Sequence, residues 1–165
     1  MIWTDLPFGK HLGKTLPQVL FTDPDWFFWA HAKGIFRGRL AFEADELFWR
    51  ATHIRIPQAG GERLLVEYAL HPRDGKLASV KLVPESCAAE QGGSPLCRRS
   101  WLDMSMANRI AKYDKTGAKI LIDAVKEILF GNAHTRMTAQ RCAAFFENEA
   151  NFLTGSTGEA PGEER

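Results

Sequence analysis

Two Gly-Lys steps four residues apart, Gly9-Lys10 and Gly13-Lys14, stand inside the run Pro7-Phe8-Gly9-Lys10-His11-Leu12-Gly13-Lys14-Thr15-Leu16-Pro17. Glycine tolerates positive φ, so one at each end of so short a segment lets the chain turn tightly twice and send both lysines outward. Phe8 and Leu12 are expected to anchor the loop inward. The chemistry this allows is phosphate contact by a small basic platform. A structural turn with two solvated lysines fits the same residues. The run also echoes the Gly-x-x-x-x-Gly-Lys-Thr phosphate loop, but it is one residue short, no apolar strand precedes it and no long helix begins at Lys14. The amide cradle and helix terminus that hold a triphosphate are therefore missing.

A second basic feature lies downstream. Arg109, Lys112, Lys115, Lys119 and Lys126 are separated by three, three, four and seven residues, which puts most of them on one face if a helix continues through Tyr113 and Gly117. With Arg98 and Arg99 before it, such a stripe could track a nucleic-acid backbone. Asp114, Asp123 and Glu127 interleave with it, which is the pattern of a solvated amphipathic face.

Catalytic constellations are weaker. Asp23 with Asp25, or Glu43 with Asp45 and Glu46, could pair carboxylates around a metal, but Asp23 and Asp25 suit helix capping and dipole compensation equally well. Val66-Glu67-Tyr68 beside Asp74-Gly75-Lys76 faintly resembles the acids and lysine of a restriction-type nuclease hairpin, yet Asp-Gly is ordinary turn chemistry. Cys87, Cys97 and His71 offer zinc donors, but nine residues separate the cysteines where strong sites have Cys-x-x-Cys. None of His11, His31, His53, His71 and His134 has a nucleophile or orienting acid at a recognisable spacing. No catalytic residue, metal or cofactor is expected.

The elements that must position these residues follow from periodicity and punctuation. Asp23-Pro24 caps and starts a helix from Pro24 to about Lys33 that Gly34 ends, and Leu40, Ala44, Leu47 and Phe48 mark a second helix from about Leu40 to Ala51. From His53 the period becomes two. Ile54 and Ile56, then Leu64, Val66 and Tyr68, then Leu77 to Val83 read as three antiparallel strands, with Asp74-Gly75 as a two-residue hairpin loop. Residues 84–97, with two prolines, two adjacent glycines and two cysteines, are expected to be a mobile loop or linker. Helices are predicted from Ser105 to about Lys112, from Thr116 to Phe130 with Gly131 as its stop, and from Thr138 to about Phe152. Thr154 to Arg165 is expected to be a disordered, slightly acidic tail.

The chain has 165 residues, 45% apolar, 11% aromatic and 25% charged, with a formal net charge of +1. A chain of this size buries enough surface to hold a core without a disulfide or a structural metal. Near-neutral charge argues against an unstructured basic arm but leaves room for a local basic face. There is no run of apolar residues long enough for a membrane span, and Met1-Ile2-Trp3-Thr4-Asp5 lacks the basic region of a secretory signal. Three cysteines, an odd number, fit reduced thiols, so a cytoplasmic location is expected.

Phe8-Gly9-Lys10, Gly13-Lys14, then Asp23-Pro24-Asp25-Trp26-Phe27-Phe28-Trp29 and Gly34 together resemble a known module. It is the Phe-Gly-Lys-x-x-Gly-Lys module at the C-terminal end of exodeoxyribonuclease X-like proteins, also similar to the quorum-sensing-regulated virulence factor group of small bacterial proteins. The likeness covers about residues 6–50, under a third of the chain. In that family a short helix ending in a Tyr-Leu-x-Trp-like stretch follows the lysines, and Trp26 here replaces the usual tyrosine. The resemblance implies an accessory role beside nucleic-acid enzymes and no nuclease activity, because the catalytic domain would lie upstream of the module.

The expected fold is α+β: a helical aromatic N-terminal module (1–52), then a central antiparallel meander of about three strands and a helical C-terminal part (53–153) packed with it as one unit. The leading functional reading is a non-enzymatic accessory or regulatory protein that contacts DNA or RNA phosphates through Lys10, Lys14, Arg37, Arg39, Lys112 and Lys119. Trp26 and Trp29 are expected to be core rather than stacking platforms. Two alternatives stay open. One is a protein-interaction module, a homodimer included, that uses exposed aromatics. The other is a magnesium-dependent nuclease built on Glu67 and Asp74.

Overall fold

The computed structural model describes residues 2–58, 60–87, 96–106, 108 and 115–153. Most of the predicted Ser105–Lys112 helix, the middle of the 84–97 segment and the 154–165 tail therefore lie outside the described residues. The architecture is α+β, as the periodicity predicts.

Three helices open the fold: α1 (Leu16–Thr22), α2 (Pro24–Ala32) and α3 (Arg39–Ala51). Asp23 is the joint between the first two. Its N–H donates to Val19 O at 2.7 Å, while its side chain accepts from Trp26 N at 3.3 Å and Pro24 takes the first helical position. The expected boundaries of α2 and α3 hold to within a residue. α1 is an addition that periodicity misses. Leu16, Pro17, Val19, Leu20 and Phe21 are all buried within its seven residues, so it has too little polar face to show contrast.

α3 carries a buried acid on its inner face. Glu43 is 1% exposed, and its carboxylate accepts from Thr4 N (3.1 Å), Thr4 Oγ1 (2.7 Å) and Arg39 Nε (3.0 Å). Three charge-assisted donors offset the desolvation of such a group, and here they latch the N-terminal segment to α3. α2 is tied to the same helix by His31, which meets Asp45 Oδ1 at 2.8 Å and stacks on Phe48 with centroids 4.5 Å apart.

The strands are β1 (Ile54–Arg55), β2 (Leu64–Leu70), β3 (Leu77–Pro84), β4 (Leu96–Arg99) and β5 (Trp101–Leu102). They include the expected three-stranded antiparallel sheet, although β1 is not part of it and its strand order is not sequential. The main sheet has the order β3-β2-β4, all pairs antiparallel, and β1 pairs with β5 in a separate two-stranded ladder. The end of the predicted linker is thus a strand, beginning at Leu96, that lies along the far edge of β2. Glu67 sits directly opposite Lys81 on β3 and Arg98 on β4, and its carboxylate reaches their nitrogens at 3.7 and 2.7 Å. One central acid between two cations fixes the register on both sides. The hairpin turn is also wider than expected. His71 N donates to Lys76 O at 2.8 Å, leaving Pro72 to Gly75 as a four-residue loop in which Gly75 has φ +69°. Pro72 has no N–H for a tighter ladder, so β2 and β3 separate before the Asp-Gly pair is reached.

Two more helices complete the fold, α4 (Lys115–Phe130) and α5 (Ala139–Glu147), followed by a 3-10 turn at Glu149–Asn151. α4 packs on β3 and touches α2, and Gly131 (φ +77°) ends it as predicted. Thr138 caps α5 by accepting from Arg141 N at 3.2 Å. α5 stops at Glu147 rather than near Phe152, because the Asn148 side chain accepts from Ala150 N at 3.1 Å and diverts the backbone into the 3-10 turn. One hydrophobic cluster runs from Trp3 to Phe152 across both halves of the chain. At its centre Phe21 of α1, Phe130 of α4 and Phe145 of α5 touch pairwise, with centroids 5.5 to 5.8 Å apart. Among the described residues no helix is long and apolar enough to cross a membrane.

Candidate nucleic-acid interface

The Gly-Lys run folds as a closed loop. Gly9 and Gly13 have φ of +75° and +80°, the left-handed values that their placement predicts. Leu6 N donates to Lys14 O (2.9 Å) and Gly13 N to Leu6 O (2.8 Å), while Leu12 N and Lys14 N donate to Gly9 O and His11 O within the loop. These amides are consumed by the loop's own carbonyls, so they cannot cradle a phosphate, which supports setting aside the nucleotide-loop reading. The inward anchor differs from expectation. Phe8 packs against the core as predicted, but Leu12 is 66% exposed and His11, 7% exposed, points in instead.

His11 and Lys10 both converge on Asp23. Lys10 Nζ lies 2.6 Å and His11 Nε2 3.0 Å from the same Oδ2, and Trp26 N donates to Oδ1. Burial alone would raise the Asp23 carboxyl, but the bonds from Lys10, His11 and the Trp26 N–H outweigh it and hold it below the usual carboxylate value. Trp26 closes the cluster, its ring meeting His11 at 72° with centroids 5.0 Å apart. Lys10 is therefore an ion-paired lysine and not the free cation that the sequence predicts.

The other expected contacts separate. Lys14 and Arg37 are exposed, with no ion pair among the described residues. Arg39 is committed to Glu43 and to Ile2 O, so its role is to hold the N-terminal latch. Lys112, like Arg109, lies outside the described residues. Lys119 is exposed on α4 and brings the two basic features together. It lines a cleft of about 880 Å³ between α2 and α4, in company with Lys10, Lys126, Trp26 and Trp29. Trp29 is 39% exposed, so it is not the core residue that its apolar neighbours predict. Asp23, Asp25 and Asp123 share the lining, which leaves the cleft close to neutral. An indole face beside cationic side chains can stack a base and meet its phosphate, while the carboxylates can accept from exocyclic amines.

The alternative chemistry finds its acids already employed. Glu67 is held by Arg98 and Lys81, and Asp74 Oδ1 accepts from Lys76 N at 3.0 Å within the turn. Glu43 holds the latch, Asp45 meets His31, and Glu46 pairs with Arg50 at 3.3 Å. Asp103, 2% exposed, accepts from Ser105 N and Oγ. Among the described residues no three His, Cys, Asp or Glu side chains gather as a metal site. Cys87 is exposed and Cys97 half-buried, whereas burial pushes the Cys142 thiol up to about 12.

Sequence reasoning missed the roles of His11 and Trp29 and the pairing of Lys10 with Asp23. Lys119 and Lys126 are visible in the sequence as a stripe, but their opposite wall on α2 is some ninety residues away in the chain, and no local signal links the two. No family model matches this chain, and neither the curated proteins nor the solved structures contain a match to it.

Proposed function

We propose that this chain is a non-enzymatic accessory or regulatory protein that binds single-stranded nucleic acid in the cleft between α2 and α4. The observation that carries the reading is the meeting of Lys10 from the Gly-Lys loop with Lys119 and Lys126 around Trp26 and Trp29. The likeness of residues 6–50 to the Phe-Gly-Lys module supports an accessory role of this kind. The three aspartates cap the electrostatic gain, so base stacking must contribute much of the affinity, about 1–3 kcal/mol per base. Titration with a twelve-nucleotide oligo-dT, followed by tryptophan fluorescence at several salt concentrations, tests it. Quenching should saturate, the log–log salt slope should be about −1.4 for two phosphate contacts, by Lys119 and Lys126, and the double change Lys119→Glu, Lys126→Glu should abolish binding. Saturating quenching that this double change leaves intact would overturn the assignment.

The protein-interaction reading keeps one specific observation. Phe42 and Trp49, seven residues apart on α3, are 63% and 41% exposed and share a helix face. A homodimer through this face would dissociate on Phe42→Glu, as read by sedimentation, while oligo-dT binding stayed unchanged.

A further inference from the structure

A second cleft, of about 800 Å³, lies where α4 and α5 meet the segment after β1. Among the described residues its lining includes two arginines, Arg55 and Arg141, and no aspartate or glutamate. Both arginines are exposed, and neither has an ion pair among the described residues. Each is held by one backbone acceptor: Arg55 Nε donates to Phe152 O at 2.7 Å, and Arg141 donates to Arg136 O. A guanidinium has five N–H donors, so each retains several for an oxyanion. Two like charges in one cleft repel each other until an anion joins them.

The remaining walls are apolar. Ile56 is buried, and the rings of Phe130 and Phe145 stand at 64° with centroids 5.7 Å apart. A third ring can extend such an edge-to-face pair. The occupant that suits both halves of the lining has one compact negative group and a flat apolar body. We infer that this cleft binds an aromatic carboxylate, its carboxylate between Arg55 and Arg141 and its ring against Phe130 and Phe145. The inference is independent of the α2–α4 cleft and of what that cleft binds.

The test uses the full-length chain and 2-naphthoate, by isothermal calorimetry or by NMR titration. Binding should saturate, weaken at least tenfold for 2-naphthamide, and weaken at least tenfold in Arg141→Gln. Ala144, exposed on the cleft lining, supplies a second variant: Ala144→Trp should fill the space and abolish binding. Should that variant fail to fold, the amide and Arg141→Gln still decide. The Lys119→Glu, Lys126→Glu protein should bind 2-naphthoate normally. The inference is overturned by an absence of saturation, by equal affinity for the amide, or by unchanged affinity in Arg141→Gln. It is equally overturned if inorganic phosphate displaces the probe at equal concentration, which would mark a plain anion site, or if the lysine double change weakens naphthoate. Tighter binding of a synthetic peptide of residues 154–165 at the same arginines would reassign the cleft to the chain's own end and also overturn it.

Discussion

α4 borders both clefts and furnishes each with different chemistry. It gives Lys119, Asp123 and Lys126 to the side facing α2, and Leu129 and Phe130 to the side facing α5. Among the described residues, on the first side three lysines are offset by three aspartates, whereas on the second two arginines stand without an acid. The richer display of cations is thus the more nearly neutral surface. A whole-chain charge of +1 conceals both conditions. What attracts an anion is the balance within one lining, over distances short against the screening length of about 8–10 Å, and not the number of lysines in a stretch of sequence.

The strongest way to break this comparison is to remove what the two clefts share. Phe21 lines the α2 side and packs on Phe130 and Phe145, which line the other. It is fully buried, so Phe21→Ala should cost about 3–5 kcal/mol in urea unfolding. Oligo-dT and 2-naphthoate should both bind less well to that variant. A loss below about 1 kcal/mol would mean that the partition is not close-packed.

The next effect is at Asp23, where cap and charge can be separated. Asp23→Ala removes the cap acceptor of α2 and should cost about 1 kcal/mol, while Asp23→Asn keeps an acceptor and loses only the charge. The folded carboxyl lies below its ordinary value of 3.8, so its stabilisation is fully present above that value and is lost as pH falls through the lower folded one. Thermal melts of wild type and Asp23→Asn should therefore differ at pH 6 and draw together as the pH falls below 3.8. A gap that persists in acid would contradict the ion pair. Asp23→Asn should also release Lys10 and make the α2 side resemble the arginine cleft, raising oligo-dT affinity severalfold with a steeper salt slope. The smallest effect is expected at Lys14, which is exposed and outside the cleft lining. Lys14→Ala should leave the melting temperature unchanged and weaken oligo-dT binding less than either Lys119→Glu or Lys126→Glu alone.

Local signals carry much of the fold. Asp23-Pro24, Gly34, Gly131 and Thr138 end or begin helices where their side-chain chemistry requires, and alternation of Val66 with Tyr68 marks the strand at the centre of the sheet. What escapes depends on partners far apart in the chain. The first two residues of β4 read as linker because its pairing with β2 spans some thirty residues, and Ile54 reads as a meander strand although its partner is Leu102. In the Gly-Lys loop the positive φ angles follow from residue type, yet which of His11 and Leu12 turns inward is decided by Asp23 and Trp26. The site is legible as lysines and invisible as a cleft, because Asp23 and Asp25 read as helix caps or a metal pair and Asp123 as part of a solvated helix face.

Besides the burial of Trp3 and Leu6 in the core, the amino end is held by one carboxylate. Thr4 and the carbonyl of Ile2 are fastened through Glu43 and Arg39, so a purification tag joined directly before residue 2 would load that fastening with every fluctuation. Any extension placed before residue 2 therefore acts first on the place where a single glutamate is buried.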